Sequence, residues 1–327
     1  MVFPLLRKAI NYYLHFLAKD SSGTYHLPST FSPEYAATKD CNYDLALIHW
    51  GCATLLASAT RLGITDPLAA KWQDVLDHLV KPPQDSNGFR IGADVTLTSG
   101  HRHYSHLLWF YPLYQLDVTT STTNRSALTT SLNHWLSFAS GQQGYTFTGS
   151  GSMYAVLGDG TKARTQLGTL LDKFVQPNTM YKESGPVIET PLSGAQTMHD
   201  MVIQSWGGTL RVFPGVPASW ADVTIHNLRT EGAFLVSAVR KAGKTQFIRV
   251  KSLAGEPCKV LPGGLAGPYD VQSLSGGGPV TFKQNSDGTL SITLASNDEV
   301  VITTSGTSPD LTIAPVGGDN KRYWGLP

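Results

Sequence analysis

A loop near the start of the chain carries a carboxyl group between aromatic rings. Residues 28–35 read Pro-Ser-Thr-Phe-Ser-Pro-Glu-Tyr, so two prolines stiffen the loop and Phe31 and Tyr35 flank Glu34. A carboxyl group held against apolar rings favours its neutral form, which is the form that a general acid needs. Exposed glutamates in turns are also common, and residue type alone favours that plain surface role.

A second carboxyl group, that of Glu189, lies between Pro186 and Pro191 and directly precedes a segment with helical spacing. The positive end of a helix dipole keeps a carboxylate ionised, which suits a general base. A charge that only stabilises the helix N-terminus explains the same residue equally well. Two carboxyl groups across a sugar ring are the minimum equipment for glycoside hydrolysis, and a wide separation between them implies inversion.

A third cluster, His101-Arg102-His103-Tyr104-Ser105-His106, concentrates three imidazoles and one guanidinium in six residues. A His-x-His pair can ligate a metal, but no acidic or thiolate ligand is near and Arg102 disfavours a cation. We therefore expect no metal, and we expect these side chains to hydrogen-bond sugar hydroxyls or a carboxylate. A packed histidine network at a helix start explains the cluster about as well.

Asp44 lies at the start of a predicted helix, two residues after Asn42. Asn42 is a plausible N-cap, and an acidic residue suits the first turn. Asp44 could also orient a catalytic partner or a sugar hydroxyl.

The spacing of apolar residues predicts helices in the first part of the chain and strands in the second. The predicted helices cover residues 6–17, 44–63, 67–80, 104–117 (interrupted by Pro112), 123–139, 150–158, 161–175 and 194–206. From Gly207-Gly208 onward the spacing becomes that of strands. The clearest predicted strands are 232–239, 245–252, 279–283 and 289–294.

These patterns predict an α plus β protein of two domains. Residues 1–206 are expected to be helical hairpins, about half of the twelve helices that close an (α/α)6 barrel, so the array is either open or truncated at its N-terminus. Residues 207–327 are expected to form an antiparallel, β-sandwich-like domain.

The composition is that of a globular protein, with 41% hydrophobic and 15% charged residues and a formal net charge of +1. This balance favours neither nucleic acid nor an anionic membrane as a partner. The sequence opens in a helical pattern, so we expect no leader, and no run is expected to cross a bilayer. Cys41, Cys52 and Cys258 show no metal-ligand spacing and are expected to be free thiols.

Five segments, in order along the chain, resemble glycoside hydrolase family 95, which includes α-L-fucosidases and α-L-galactosidases. Residues 101–112, HRHYSHLLWFYP, carry the most specific likeness, to the motif H-R-H-x-S-H-L-x-x-x-Y-P. The other segments, each given with the family motif that it resembles, are 28–35 (P-S-x-S-P-E), 154–160 (A-R-L-G-D-G), 188–206 (I-D-G-N to Q-S-H) and 210–220 (L-x-P-A-L-P-x-x-W).

The resemblance implies roles for single residues. Glu34 matches the family's general acid, and Glu189 stands where the family has its general-base Asp. The family's Asn-x-Asn motif, in the first half of its barrel, and its N-terminal β domain have no counterpart here. The resemblance therefore implies a divergent, N-terminally truncated relative, whose exposed helix faces need a missing N-terminal half or another partner.

We therefore expect an inverting hydrolase of α-L-fucosides or related sugars that uses no cofactor and is extracellular, as the resemblance implies. Glu34 and Glu189 are the expected catalytic pair. The expected substrate-binding or supporting residues are Asp44, His101, Arg102, His103 and His106. A degenerate, non-catalytic carbohydrate-binding protein is the first alternative. An α/α-toroid polysaccharide lyase, with the histidine cluster as its base, is the second.

Overall fold

The computed structural model describes residues 2–176, 180–183, 185, 187–276 and 280–317. The chain divides into two compact units, Met1–Gly149 and Ser150–Pro327. The predicted boundary between residues 206 and 207 stays a prediction, although the last helix ends at Val202 and strands follow.

Five α-helices lie wholly or partly in the first unit. They are α1 (Phe3–Leu14), α2 (Asn42–Leu62), α3 (Ala69–His78), α4 (Thr122–Ser137) and α5 (Gly144–Val156), whose last residues belong to the second unit. Helix α1 packs closely on α2 because Gly51 leaves room for Ile10, whose Cδ1 would lie 2.1 Å from any Cβ at that position. Gly63, with a φ of 64°, adopts the left-handed conformation that ends α2.

Three short hairpins lie between these helices. Strands β1 (Ala18–Lys19) and β2 (Tyr25–His26), β3 (Thr30–Ser32) and β4 (Ala36–Thr38), and β5 (Gln84–Asp85) and β6 (Gly88–Phe89) pair antiparallel. The sequence patterns did not predict them because strands of two or three residues show no measurable alternation.

The second unit begins with helices α6 (Gly160–Phe174) and α7 (Glu189–Val202). Ten strands follow: β7 (Ile203–Gln204), β8 (Leu210–Val212), β9 (Val223–Thr230), β10 (Phe234–Lys241), β11 (Lys244–Ser252), β12 (Cys258–Leu261), β13 (Tyr269–Ser273), β14 (Phe282–Gln284), β15 (Leu290–Ile292) and β16 (Glu299–Thr304).

These strands form two five-stranded sheets, in the orders β13-β16-β11-β10-β9 and β14-β15-β12-β8-β7. Side chains of both sheets share one buried core, which includes Val236 and Ile248 of the first sheet and Val260 and Leu290 of the second. The pairing is antiparallel except between β12 and β8, where Val260 pairs with Leu210 in parallel. The prediction of an α plus β protein with antiparallel sheets is thus confirmed.

Two local predictions are wrong. Residues 104–117 do not form an α-helix; a 3₁₀ turn covers Ser105–Leu107, and irregular turns follow. Pro112 has no N–H to continue a helix, and Trp109, Phe110 and Tyr111 are all buried rather than confined to one face.

Asn42 does not cap α2 with its side chain. Its Nδ2 donates to the carbonyl oxygens of Pro83 (2.9 Å) and Arg90 (2.8 Å), and its Oδ1 accepts from Trp109 Nε1 at 3.0 Å. Cys41 is the N-cap residue, without a side-chain cap.

The expectation about membrane-spanning length also needs correction. Within the part of the chain that the structure describes, α2 alone is long and apolar enough to cross a membrane by length and composition. Its buried residues include the polar Asn42 and Asp44, and it packs between α1 and α3. The free state expected for the three cysteines is confirmed, and all three are buried.

Candidate functional site

Glu34 lies at the tip of the β3–β4 hairpin. The turn consists of Pro33, Glu34 and Tyr35; the Tyr35 N–H donates to Ser32 O at 2.7 Å, and the Pro33–Glu34 peptide is cis. The Glu34 side chain is 60% exposed. The hairpin thus presents its carboxyl group to solvent.

Buried hydrogen bonds fix the base of this hairpin. Asp44, on the first turn of α2, accepts from Thr30 Oγ1 at 2.6 Å and from Tyr13 Oη at 2.8 Å. Burial and the Asp44 carboxylate raise the pKa of Tyr13. Ser32 Oγ lies 2.8 Å from Ser105 Oγ. Asp44 therefore supports the hairpin that carries Glu34, and its carboxylate is buried.

The segment that follows residue 97 carries the histidine cluster, and α4 holds it in place. His134 Nε2 bonds Leu97 O at 2.9 Å, and Trp135 Nε1 donates to His101 O at 2.7 Å. Gly100 lies so close to Ser140 O that a Cβ there would come within 1.4 Å of it. A glycine is required at this close backbone approach.

The structure brings Glu34 together with three of the predicted residues. Arg102 Nη2 lies 3.3 Å from Glu34 Oε1 and 3.2 Å from Oε2, and His103 Nε2 lies 3.4 Å from Oε2. The Glu34 backbone N–H donates to His101 Nε2 at 3.1 Å. The expected apolar surroundings are therefore wrong: the carboxyl group meets a guanidinium and an imidazole, and Phe31 is itself 60% exposed.

His101 and His103 are only partly exposed, and this partial burial disfavours the charged form of both imidazoles. Burial lowers the pKa of His101, and burial together with His101 and Arg102 lowers the pKa of His103. Arg102 Nε donates to His103 Nε2 at 3.0 Å, so the neutral ring carries its proton on Nδ1. Both rings are neutral at neutral pH and can exchange hydrogen bonds with hydroxyl groups.

His106 does not join this cluster. It is 1% exposed and packs edge-to-face on Trp135, with ring centroids 6.5 Å apart. Burial lowers its pKa to about 3. The expected contact with sugar hydroxyls is therefore replaced by packing in the core.

A row of rings borders the cluster. Tyr35, His101, His103 and Tyr145 follow one another with centroids 5.6, 5.1 and 5.4 Å apart, and Tyr145 stacks on Tyr104 at 5.3 Å. Aromatic faces can pack on the apolar faces of sugar rings. Tyr145 was not predicted as a site residue, because it lies in a different segment from the motifs.

Glu189 is the first residue of α7 and is exposed, in the second unit. Its pairing with Glu34 stays a prediction. Glu183 was not assigned a role from the sequence. It accepts a hydrogen bond at 2.7 Å from the Oγ1 of Thr190, which follows Glu189 in α7. Burial, followed by the charges of Glu183 and Glu189, raises the pKa of nearby Tyr181.

The first unit also has a polar groove of about 460 Å³ between the β5–β6 hairpin and the start of α4. Hydroxyl groups dominate its lining, which consists of Gln84, Asp85, Ser86, Gly88, Thr122, Thr123, Ser126, Ala127 and Thr130. None of the predicted site residues belongs to this lining. Across the described ranges, no three His, Cys, Asp or Glu side chains are grouped to hold a metal ion.

Comparison with known proteins identifies the family to which the chain is similar. A family model described as "Glycosyl hydrolase family 95 catalytic domain" matches residues 1–201. A search of curated proteins finds no match.

Among solved structures, a protein described as a kojibiose phosphorylase from the human microbiome aligns with a TM-score of 0.53 at 11% identity. The alignment covers 94% of this chain and 46% of that protein, so this chain spans about half of its length. A GH127 β-L-arabinofuranosidase from Geobacillus stearothermophilus T6 aligns at 14% identity with a TM-score of 0.25, over 83% of this chain and 43% of that one.

Proposed function

Because this chain belongs to glycosyl hydrolase family 95, we propose that it is the catalytic part of an inverting glycosidase for α-L-fucosides or related sugars. One observation carries the proposal: an exposed carboxyl group at a hairpin tip, with the Arg102 guanidinium within 3.3 Å of both its oxygens and the His103 ring beside it. Contact with a guanidinium restricts the orientation of the carboxyl group.

In the proposed reaction, Glu34 protonates the glycosidic oxygen as its bond to the anomeric carbon breaks. Glu189 takes the proton of the water that attacks the opposite face of that carbon, and the product is the inverted sugar. Arg102 orients Glu34. Neutral His101 and His103 hydrogen-bond sugar hydroxyls, and Asp44 supports the hairpin from below.

We further propose that the helices form the second half of an (α/α)6 barrel and act with a further helical half, in an extracellular enzyme. The likeness to the longer solved structure supports the fold. A stripe of exposed apolar side chains on and beside α1, defined here as the α1 stripe, supports the need for a cover. Its members are Val2, Leu5, Ala9, Tyr12 and Phe16, spaced three and four residues apart.

The test is hydrolysis of aryl α-L-fucosides and α-L-galactosides and of fucosylated oligosaccharides, with the first-formed anomer read by proton NMR. Release of the β-anomer before mutarotation supports inversion, and release of the α-anomer contradicts it. No cleavage of any of these substrates, by the chain alone or together with the further helical half, contradicts the proposed activity.

Two variants separate the two carboxyl roles. Glu34→Gln should lose cleavage of natural oligosaccharides while retaining much of it on aryl glycosides whose leaving group needs no proton. Glu189→Gln should lose both, since water still needs a base. Equal losses in Glu34→Gln on both substrate types would contradict the acid role.

A non-catalytic carbohydrate-binding protein is the second candidate. It is favoured by the Arg102 guanidinium, which is within 3.3 Å of both Glu34 oxygens, an arrangement that also suits a purely binding site. Saturable binding of the same oligosaccharides without cleavage would select it.

A further inference from the structure

Tyr35 ties the hairpin tip to the segment that carries the histidines. Its phenolic oxygen accepts the backbone N–H groups of Thr98 (2.8 Å) and Ser99 (3.2 Å). The same oxygen lies 3.3 and 3.2 Å from the hydroxyl oxygens of those residues, and one of them can accept the phenol proton. Burial would raise the pKa of Tyr35, but the hydrogen bonds from Ser99 and Thr98 outweigh it and lower this pKa.

The two segments that the Tyr35 hydrogen bonds join, the hairpin and residues 98–99, are held in different ways. The segment from Leu97 to His101 is fixed from behind by α4, through hydrogen bonds to its two end carbonyls. The open end of the hairpin is fixed on both strands. Asp44 holds β3 through Thr30, and Asp94 holds the end of β4 by accepting from Thr38 Oγ1 at 2.5 Å and from Lys39 N at 3.0 Å. The tip projects beyond these anchors, so its position depends on what it contacts there.

We propose that Tyr35 is a positioning residue whose phenolic oxygen holds the hairpin tip against residues 98–99 and thereby keeps the Glu34 carboxyl group at Arg102 and His103. The geometric part of the proposal is independent of the reaction. Its kinetic part rests on the proposed function, in which Glu34 protonates the leaving group.

The geometric part is tested by titrating His103 by NMR in the whole chain. Burial lowers the pKa of His103, the neighbouring His101 and Arg102 lower it further, and Glu34 raises it. If Tyr35→Phe releases the tip, Glu34 moves away and the pKa of His103 falls, as it should in Glu34→Gln. The control is Tyr269→Phe, which removes a phenol that donates to Leu265 O at 3.4 Å in the second unit and should leave His103 unchanged.

The kinetic part compares kcat with KM on a natural oligosaccharide. A misplaced acid should lower kcat by roughly 10- to 100-fold, because an error of about 1 Å in geometry has effects of that size. KM should change little, since the phenol contacts the protein and not the sugar in this assignment. Activity on aryl glycosides with good leaving groups should be largely kept, a pattern that partial unfolding would not produce.

Ser99→Pro serves as a second variant if Tyr35→Phe does not fold, because it removes one N–H donor to the same oxygen and keeps the ring. It should shift the His103 titration in the same direction. A folded variant with the wild-type titration and wild-type kcat overturns the proposal. If the wild-type chain cleaves none of the substrates, alone or together with the further helical half, the proposed function fails, while the titration still decides whether Tyr35 holds the tip.

Discussion

The exposure of Glu34 and the rigidity of its surroundings have the same cause at the residue scale. Thr30 and Ser32 are hydrogen-bonded to Asp44 and Ser105, so the strand that leads to the tip is held by largely buried groups. Within the three-residue turn, Glu34 is the exposed residue. Such support restricts a reacting group without burying it.

His106 makes the stability of the protein sensitive to acid. Its pKa is about 3 in the folded chain because the ring is buried, against about 6.5 when unfolded. The part of the free energy of unfolding that depends on neutral His106 is fully present above about pH 6.5. It is lost as the pH falls toward 3, because only the unfolded chain then binds the proton. At pH 5 this loss amounts to about 2 kcal/mol.

The check is the free energy of unfolding at several pH values between 7 and 4.5. His106→Gln should reduce the free energy of unfolding at pH 7, since the core packing changes. Below pH 6.5 this free energy should fall less steeply than in the wild type, because about one proton fewer is bound on unfolding. A slope equal to that of the wild type would show that folded His106 takes up the proton.

At the element scale, Asn42 joins α2 to two loops. Its amide bonds two carbonyl oxygens and the indole of Trp109, and its side chain is fully buried. Asn42→Ala should therefore cost about 3 kcal/mol, since three polar groups lose their partner. Ser121→Ala removes an ordinary N-cap, whose side chain accepts from Asn124 N, and should cost about 1 kcal/mol.

Chemical denaturation of the two variants, followed by circular dichroism, gives both values. Equal losses in Asn42→Ala and Ser121→Ala would mean that the amide contributes no more than a cap does.

The sequence predicted the elements with long, regular spacing and missed those set by distant contacts. Seven predicted helices correspond to observed ones, because α2, α4 and α6 bury a face at helical spacing. The local pattern at Asn42 fitted a cap, but its true partners lie 41 to 67 residues away. For the same reason Glu34 could be named from its motif, while its Arg102 contact, 68 residues distant, could not.

At the scale of the whole molecule, the α1 stripe is a row of apolar side chains that the described residues leave exposed. Val2 is 73% exposed, Leu5 68%, Tyr12 62% and Phe16 43%, all on one side of the helix. Contiguous apolar patches of this kind on a soluble protein mark an interaction surface. Helix α2 packs on α1, and the side chains of the stripe are exposed.

Replacing Leu5 and Tyr12 together by Lys tests whether the stripe needs a cover. The wild-type chain should self-associate with rising concentration, and the double variant should remain monomeric in sedimentation velocity. Its free energy of unfolding should change by less than about 0.5 kcal/mol, since both side chains are already mostly exposed. Thr161→Lys with Thr165→Lys, at exposed positions of α6, adds the same charge elsewhere and should leave self-association intact. A wild-type chain that stays monomeric and binds no apolar dye would contradict the proposed need for a further helical half, because the stripe would then be stable in water by itself.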